Sequence, residues 1–358
     1  MRAPRLAPAL LCLLAAGSLL AGCGGSEGDE STGSTVAGAE SRPAPPASRF
    51  PNAQGRTLRQ VLKAADGPAE LVVSPAAEVF YPGVNRYPFG VTDRDAGPVD
   101  DAEVALYFAK VPEVETGAKS KSGNRGQAAK AQEQALDRPA VGPFPVAIET
   151  LATEPGFVSE TTAEDAEAAR VVYSTGLDLP SEGEWRIAAI LAEDGELKGA
   201  SLPSAVVGEF HRIPRPGEEA PRIHTPTAQD VGGDLSKITT RIPSDTQNEV
   251  DYAQALGKEP IVLLFATPQF CQSRVCGPVV DVAEQVKSEY GDQAAFIHME
   301  IYNDNDPALG VRPQVRAFHL PSEPYLFTID RRGVVRDAIE GAFGLELMHE
   351  AVDKAIAP

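Results

Sequence analysis

Five consecutive apolar residues, Ile261-Val262-Leu263-Leu264-Phe265, leave no polar face, so this stretch reads as a central strand covered on both sides. Covering both sides requires layers of helix, and the sequence supplies one at once. After a loop over residues 266–275, Cys276-Gly277-Pro278 opens a segment in which Val279, Val282, Ala283 and Val286 recur at i, i+3, i+4 and i+7. Pro278 suits the first turn of that helix and Gly291 its C-terminal cap. Two more apolar runs follow at 296–301 and 325–329, the second turned by Asp330-Arg331-Arg332-Gly333 into a hairpin partner at 334–337, and Leu345 begins a closing helix. The order strand, helix, strand, helix, strand, hairpin strand, helix predicts an α/β domain over 237–358, a parallel βαβ half joined to an antiparallel ββα half.

The chain before it has another rhythm. Across 66–213, short runs alternate with period two between turn signals: Leu71-Val72-Val73, Phe89-Gly90-Val91, Ala102/Val104/Leu106/Phe108, Val171-Val172-Tyr173 and Ala205-Val206-Val207. This pattern predicts an all-β, antiparallel, immunoglobulin-like sandwich. The one tryptophan, Trp185, enters a strand and reads as a core residue. Residues 113–140, rich in Lys, Gln, Ala, Ser and Gly, read as an inserted mobile loop whose Lys119, Lys121, Arg125 and Lys130 are solvated charge. Pro214, Pro216, Pro221, Pro226 and Gly232-Gly233 mark a linker over 214–236, so the expectation is a multidomain protein.

Charge narrows the partners. With 32 Lys+Arg against 51 Asp+Glu, the formal charge is −19, and no basic stripe offsets it, which argues against nucleic acid as a partner. The N-terminus offers a membrane instead. Arg2 and Arg5 precede a short apolar run to Leu20, too short for a permanent span, and Leu20-Ala21-Gly22-Cys23 closes it. That ending resembles the lipobox of bacterial lipoproteins, which implies removal of residues 1–22, acylation of Cys23, and an extracytoplasmic protein held to the bacterial membrane by lipid. Residues 23–57, poor in large apolar groups, read as a disordered tether with a reach on the order of 30 Å, and 58–65 as a helical turn or two.

Of the four cysteines, Cys12 then leaves with the signal and Cys23 is acylated, so Cys271 and Cys276 remain as a pair in an oxidising compartment. From about Lys258 onward the chain resembles the thioredoxin superfamily, TlpA-like thiol-disulfide proteins in particular. The likeness rests on Phe265-Ala266-Thr267 ahead of Phe270-Cys271, on Cys276-Gly277-Pro278, and on Ser322-Glu323-Pro324-Tyr325 where that family has its cis-proline. The chain departs from the family in four respects. Val279 stands at the fourth position of Cys-Gly-Pro-Cys, the second thiol lies upstream in a C-x4-C spacing, Leu263 falls where some relatives have a buried acid, and Phe270 replaces a tryptophan.

The resemblance implies a thiol-disulfide oxidoreductase with Cys276, Cys271 and Pro324 as its site, no cofactor, and protein thiols or disulfides of the cell envelope as partners. Cys276, at a helix N-terminus with Arg274 nearby, reads as the better nucleophile and Cys271 as the resolving thiol, although Cys271, placed after the strand, also fits the attacker. Glu323 should lie close to the sulfurs and oppose thiolate formation. The alternatives are a structural disulfide in a non-enzymatic interaction lipoprotein, or copper handling of the Sco-like kind with His298 or His319 as the imidazole. Pro268 and Ser273 before Cys276 resemble a peroxiredoxin motif one residue out of register, and Asn303-Asp304-Asn305-Asp306-Pro307 reads as a turn and cap rather than a calcium loop.

Overall fold

The computed structural model describes residues 40–113, 123–208 and 212–358; the signal segment, Cys23, residues 24–39 and the start of the inserted loop lie outside them. The N-terminal half is built on strands β1 (Gly67–Pro68), β2 (Val72–Pro75), β3 (Gly83–Thr92), β4 (Glu103–Lys110), β5 (Val141–Pro145), β6 (Ala147–Thr150), β7 (Val171–Leu179), β8 (Gly183–Glu193), β9 (Glu196–Ser201) and β10 (Ala205–Val207). One sheet runs β1-β9-β8-β4-β5 with β10 on β8, the other β2-β3-β7-β6. Period-two alternation explains how they meet. Val104, Leu106 and Phe108 of β4 share one core with Phe89 and Val91 of β3 and Tyr173 of β7. Trp185 sits in that core, edge-on to Phe108 at 5.4 Å with its Nε1 donating to the Ser181 carbonyl at 2.9 Å.

The other face of β4 carries Ala105, Tyr107 and Ala109, and it too is buried. Phe50, Ala53, Leu58 and Val61 cover it, the last two from helix α1 (Leu58–Leu62). The Tyr107 hydroxyl donates to the Pro51 carbonyl at 2.7 Å. Residues 40–57, expected within the tether, therefore line a sheet face of small side chains, where a thin cover with only Phe50 and Ala53 as buried anchors suffices. Helix α2 (Gly123–Ala135) likewise occupies part of the expected loop; its buried contacts, Ala131 and Ala135 against Val111, are too small to show as apolar periodicity.

In the C-terminal half, α3 (Glu160–Ala163), contributed by the N-terminal half, and α4 (Tyr252–Ala255) precede the α/β sequence β11 (Ile261–Phe265), α5 (Cys276–Tyr290), β12 (Ala295–Met299), α6 (Pro313–Ala317), β13 (Tyr325–Ile329), β14 (Val335–Glu340) and α7 (Leu345–Ile356). The elements follow the order read from the sequence, in a sheet β12-β11-β13-β14 whose β11–β12 pair is parallel and whose other pairs are antiparallel. Leu263 lies opposite Ile297 and Phe327, so β11 is central. Val262 and Leu264 pack with Val279, Val282, Met348 and Val352, whereas Ile261, Leu263 and Phe265 pack with Tyr252, Phe318 and Phe327. That two-sided burial is why the run contains no polar residue.

The segment expected as a free linker is fastened to the sheet edge. Glu219 bridges Val334, the Val335 N–H donates to the Glu218 carbonyl at 2.9 Å, and the Ala220 N–H donates to Gly333 at 2.9 Å. Val172, on the outward face of β7, and Leu151 join the core of α5 and α7. Arg86 donates to the Ala342 carbonyl at 2.6 Å, and Glu340 accepts from the Glu78 and Val79 amides at 2.8 and 3.0 Å. The described residues fall into one compact unit.

Candidate functional site

The two thiols meet where β11 ends. Ala266 and Thr267 continue inward from the strand, fully buried, and the chain then turns through Phe270 to Cys271. Arg274 adopts the left-handed region at φ 57°, costing a residue with a Cβ roughly 1–2 kcal/mol, and its N–H donates to the Cys271 carbonyl at 3.3 Å. That turn spends the four intervening residues and delivers Cys276 as the first residue of α5. Cys271 and Cys276 are free thiols, 4% and 0% exposed, close enough for one to hydrogen-bond the other.

Their surroundings divide the roles. The neighbouring Cys276 side chain favours the Cys271 thiolate most; burial opposes the charge there, but Ser273, at 3.3 Å, and the backbone N–H groups of Cys276 and Val275 add support, and the Cys271 thiol is pulled down to about 6. Burial drives Cys276 the other way, well above an ordinary thiol, with the hydrogen bond to Cys271 and the neighbouring charges of Cys271 and Glu323 acting in the same sense. The helix-terminus argument for Cys276 as nucleophile therefore fails although the helix begins where expected, because complete burial outweighs what the first turn can supply. Arg274 does not assist either sulfur: its guanidinium reaches Asp165 and Glu167, each at 3.4 Å.

Glu323 and Pro324 stand beside the pair, joined by a cis peptide, with Glu323 Oε2 3.8 Å from Cys276 Sγ. Burial, then the charges of Cys271 and Glu300, push the Glu323 carboxyl up to about 9. Behind it Glu300, fully buried, accepts from the Thr240 N–H and hydroxyl at 2.7 Å each through Oε1, while its Oε2 has no protein partner among the described residues. Phe270, 36% exposed, is the surface marker of the site and packs edge-on against Tyr302 at 6.3 Å.

The histidines do not join the sulfurs. His298 Nδ1 lies 2.8 Å from Asp245 Oδ2 and its Nε2 lies 3.0 Å from the Ala266 carbonyl. Two acceptors require both ring nitrogens to carry protons, so His298 is an imidazolium. Burial opposes that charge, but Asp245 and Glu300 outweigh it and raise the ring to about 9. A doubly protonated ring has no lone pair for copper. His319 is exposed after α6 and makes no polar contact with either sulfur among the described residues. No group of three or more His, Cys, Asp or Glu arranged to hold a metal occurs among those residues. The Asn303–Asn305 turn is closed internally, Asn303 Nδ2 donating to the Leu309 and Gly310 carbonyls at 3.0 Å and Asp306 capping Ala308 at 2.9 Å.

Sequence reasoning missed the part of the site that comes from the N-terminal half. The Ala169 N–H donates to the Arg274 carbonyl at 3.0 Å, and a Cβ on Gly277 would fall 2.9 Å from Thr162 Oγ1, so α3 and the segment after it lie directly on the cysteine loop. Ser159 donates from its N–H and hydroxyl to Asp281 Oδ2 at 3.1 and 3.2 Å, and the opposite oxygen of Asp281 takes Arg241 Nε at 2.8 Å. Ser159, Thr162 and Ala169 are over 100 positions from the motif and carry no local signal.

No family model matches the chain, and no curated protein does. Among solved structures it is similar to a thiol:disulfide interchange protein, a thioredoxin family protein from Chlorobium tepidum TLS, at 16% identity over 42% of this chain and 100% of that one, with a TM-score of 0.28. At that level of likeness the chemistry rests on the residues themselves. No helix among the described residues is long and apolar enough to cross a membrane.

Proposed function

We propose that this protein is a membrane-anchored extracytoplasmic thiol-disulfide oxidoreductase, thioredoxin-like in its C-terminal half and held to the membrane by lipid on Cys23. The observation that carries the reading is the asymmetric pair: two free thiols in hydrogen-bond reach, Cys271 favoured as thiolate and Cys276 kept protonated beneath it. The βαβ–ββα order and the position of Glu323-Pro324 beside the sulfurs support it.

In the reductive direction the Cys271 thiolate attacks a disulfide of an envelope protein. The partner's S–S bond breaks, one partner sulfur leaves with the electron pair, and a mixed disulfide forms. Cys276 then loses its proton and attacks Cys271 Sγ, releasing the second partner sulfur as thiolate and leaving the Cys271–Cys276 disulfide; the oxidative direction reverses these steps. Because Cys271 is 4% exposed, the loop over 266–275 opens to admit a partner. Pro324 borders the same sulfurs and leaves adjacent backbone for an incoming extended segment.

Alkylation of single variants across pH tests this. Cys276→Ser should retain a thiol that reacts at mildly acidic pH, faster than an ordinary thiol of pKa about 8.5, and Cys271→Ser should leave a slow one. Equal, unperturbed rates, together with a reduction potential below about −300 mV for the pair, would make the disulfide a structural staple and end the redox reading.

A further inference from the structure

We infer that Glu323 is the catalytic acid–base of the pair, holding the proton that Cys276 must lose to resolve a mixed disulfide and returning it when the Cys271–Cys276 disulfide is opened. The inference rests on the exchange reading and adds to it the group that moves the proton.

Geometry carries it. Cys276 is fully buried, so solvent cannot take its proton, and Glu323 Oε2 lies 3.8 Å from its sulfur, within sulfur hydrogen-bond distance. Strand β11 offers no acid at this depth, since its middle residue is Leu263. The groups facing Glu323 are Cys271 from the loop, Cys276 from α5, and Glu300 and Tyr302 from the chain leaving β12.

The charge on Cys271 gates the transfer. Burial and, after it, the charge of the Cys271 thiolate hold Glu323 protonated, and an acid in that state cannot deprotonate Cys276. Once Cys271 is bonded to a partner sulfur that charge is gone, and Glu323, which is only half-buried, gives its proton to solvent more readily, with burial and Glu300 still opposing. The Glu323 carboxylate then takes the Cys276 proton as Cys276 Sγ attacks Cys271 Sγ, the mixed S–S bond breaks, and the partner leaves as thiolate. In reverse, a partner thiolate attacks Cys271, the electron pair of the broken bond goes to Cys276, and Glu323 protonates it. Glu323 thus suppresses resolution before a partner is captured and promotes it afterwards.

The test uses the reduced full chain and an aromatic disulfide reagent whose released thiolate is coloured, followed by stopped flow. Wild type should release two equivalents in two phases, Cys271 attack and then resolution by Cys276. Glu323→Gln, close in shape and unable to accept the proton, should keep the first phase and slow the second by about 100-fold or more, with the loss of an ionisation from its pH profile. Glu323→Asp should recover part of that rate. A second phase unchanged in both variants overturns the inference while leaving the exchange reading intact. A wild-type chain that shows only one slow phase, or none, overturns the exchange reading itself. If Glu323→Gln disturbs folding, seen as a slowed first phase, the Asp variant decides: a slower second phase with a shifted ionisation retains the acid–base role, and a second phase with the wild-type rate and pH profile overturns it.

Discussion

Removing one carboxylate from α5 should loosen both the fold and the cover over the cysteines. Asp281 is 2% exposed in its side chain and Arg241 6%, and the pair meets at 2.8 Å where the N-terminal half touches α5. Asp281→Ala deletes that ion pair and both bonds from Ser159. Arg241 keeps only two neutral acceptors, the Pro243 and Phe157 carbonyls at 2.7 and 2.6 Å. A buried guanidinium without its counter-charge costs about 3–5 kcal/mol, against under about 1 kcal/mol for an exposed pair. At about 2.1 cal/mol/K per residue, a chain of 358 residues loses roughly 1.3 °C per kcal/mol, so the melting temperature should fall by roughly 4–7 °C. Arg241→Met combined with Asp281→Leu should recover most of that loss, because no unpaired charge remains. Because the segment around Ser159 leads into α3, which lies on the cysteine loop, Cys271 in Asp281→Ala should also alkylate faster. Urea and thermal denaturation followed by near-UV signal, with alkylation measured in parallel, check both effects. A loss below about 1 kcal/mol with unchanged alkylation would refute the argument that this pair fastens the Phe157–Ser159 segment to α5.

Two other outcomes follow from single groups. His298 is raised to about 9 from an ordinary 6.5, so its contribution to stability is complete below pH 6.5 and fades as pH rises through 9; the urea midpoint should drop across that window in wild type and stay level in His298→Asn, and a level wild-type profile would remove the imidazolium assignment. Cys23→Ser should release the protein from the membrane fraction or leave its signal uncut, and a cleaved Cys23→Ser product that stays membrane-bound counts against the lipid anchor.

Elements whose pattern repeats locally could be read from the order of residues. The apolar run of β11, the i, i+3, i+4, i+7 face of α5, the Gly291 cap and the period-two alternation of β3 and β4 each follow from one strand or helix burying one or two faces, and each stands where it was read. Cys271, Cys276 and Glu323-Pro324 were legible for the same reason, as residues close in the chain or fixed by strand order. Tertiary structure alone decided everything that depends on distant neighbours. It placed residues 40–57 on the outer face of β4, fastened 217–220 to the edge of β14, set α3 against the cysteine loop and committed His298 to Asp245. It also moved the acidities of the two thiols in opposite directions, Cys271 down and Cys276 up. Helix position is a local property and favours Cys276, whereas desolvation depends on every element packed around a sulfur, and at Cys276 that packing leaves no exposed surface.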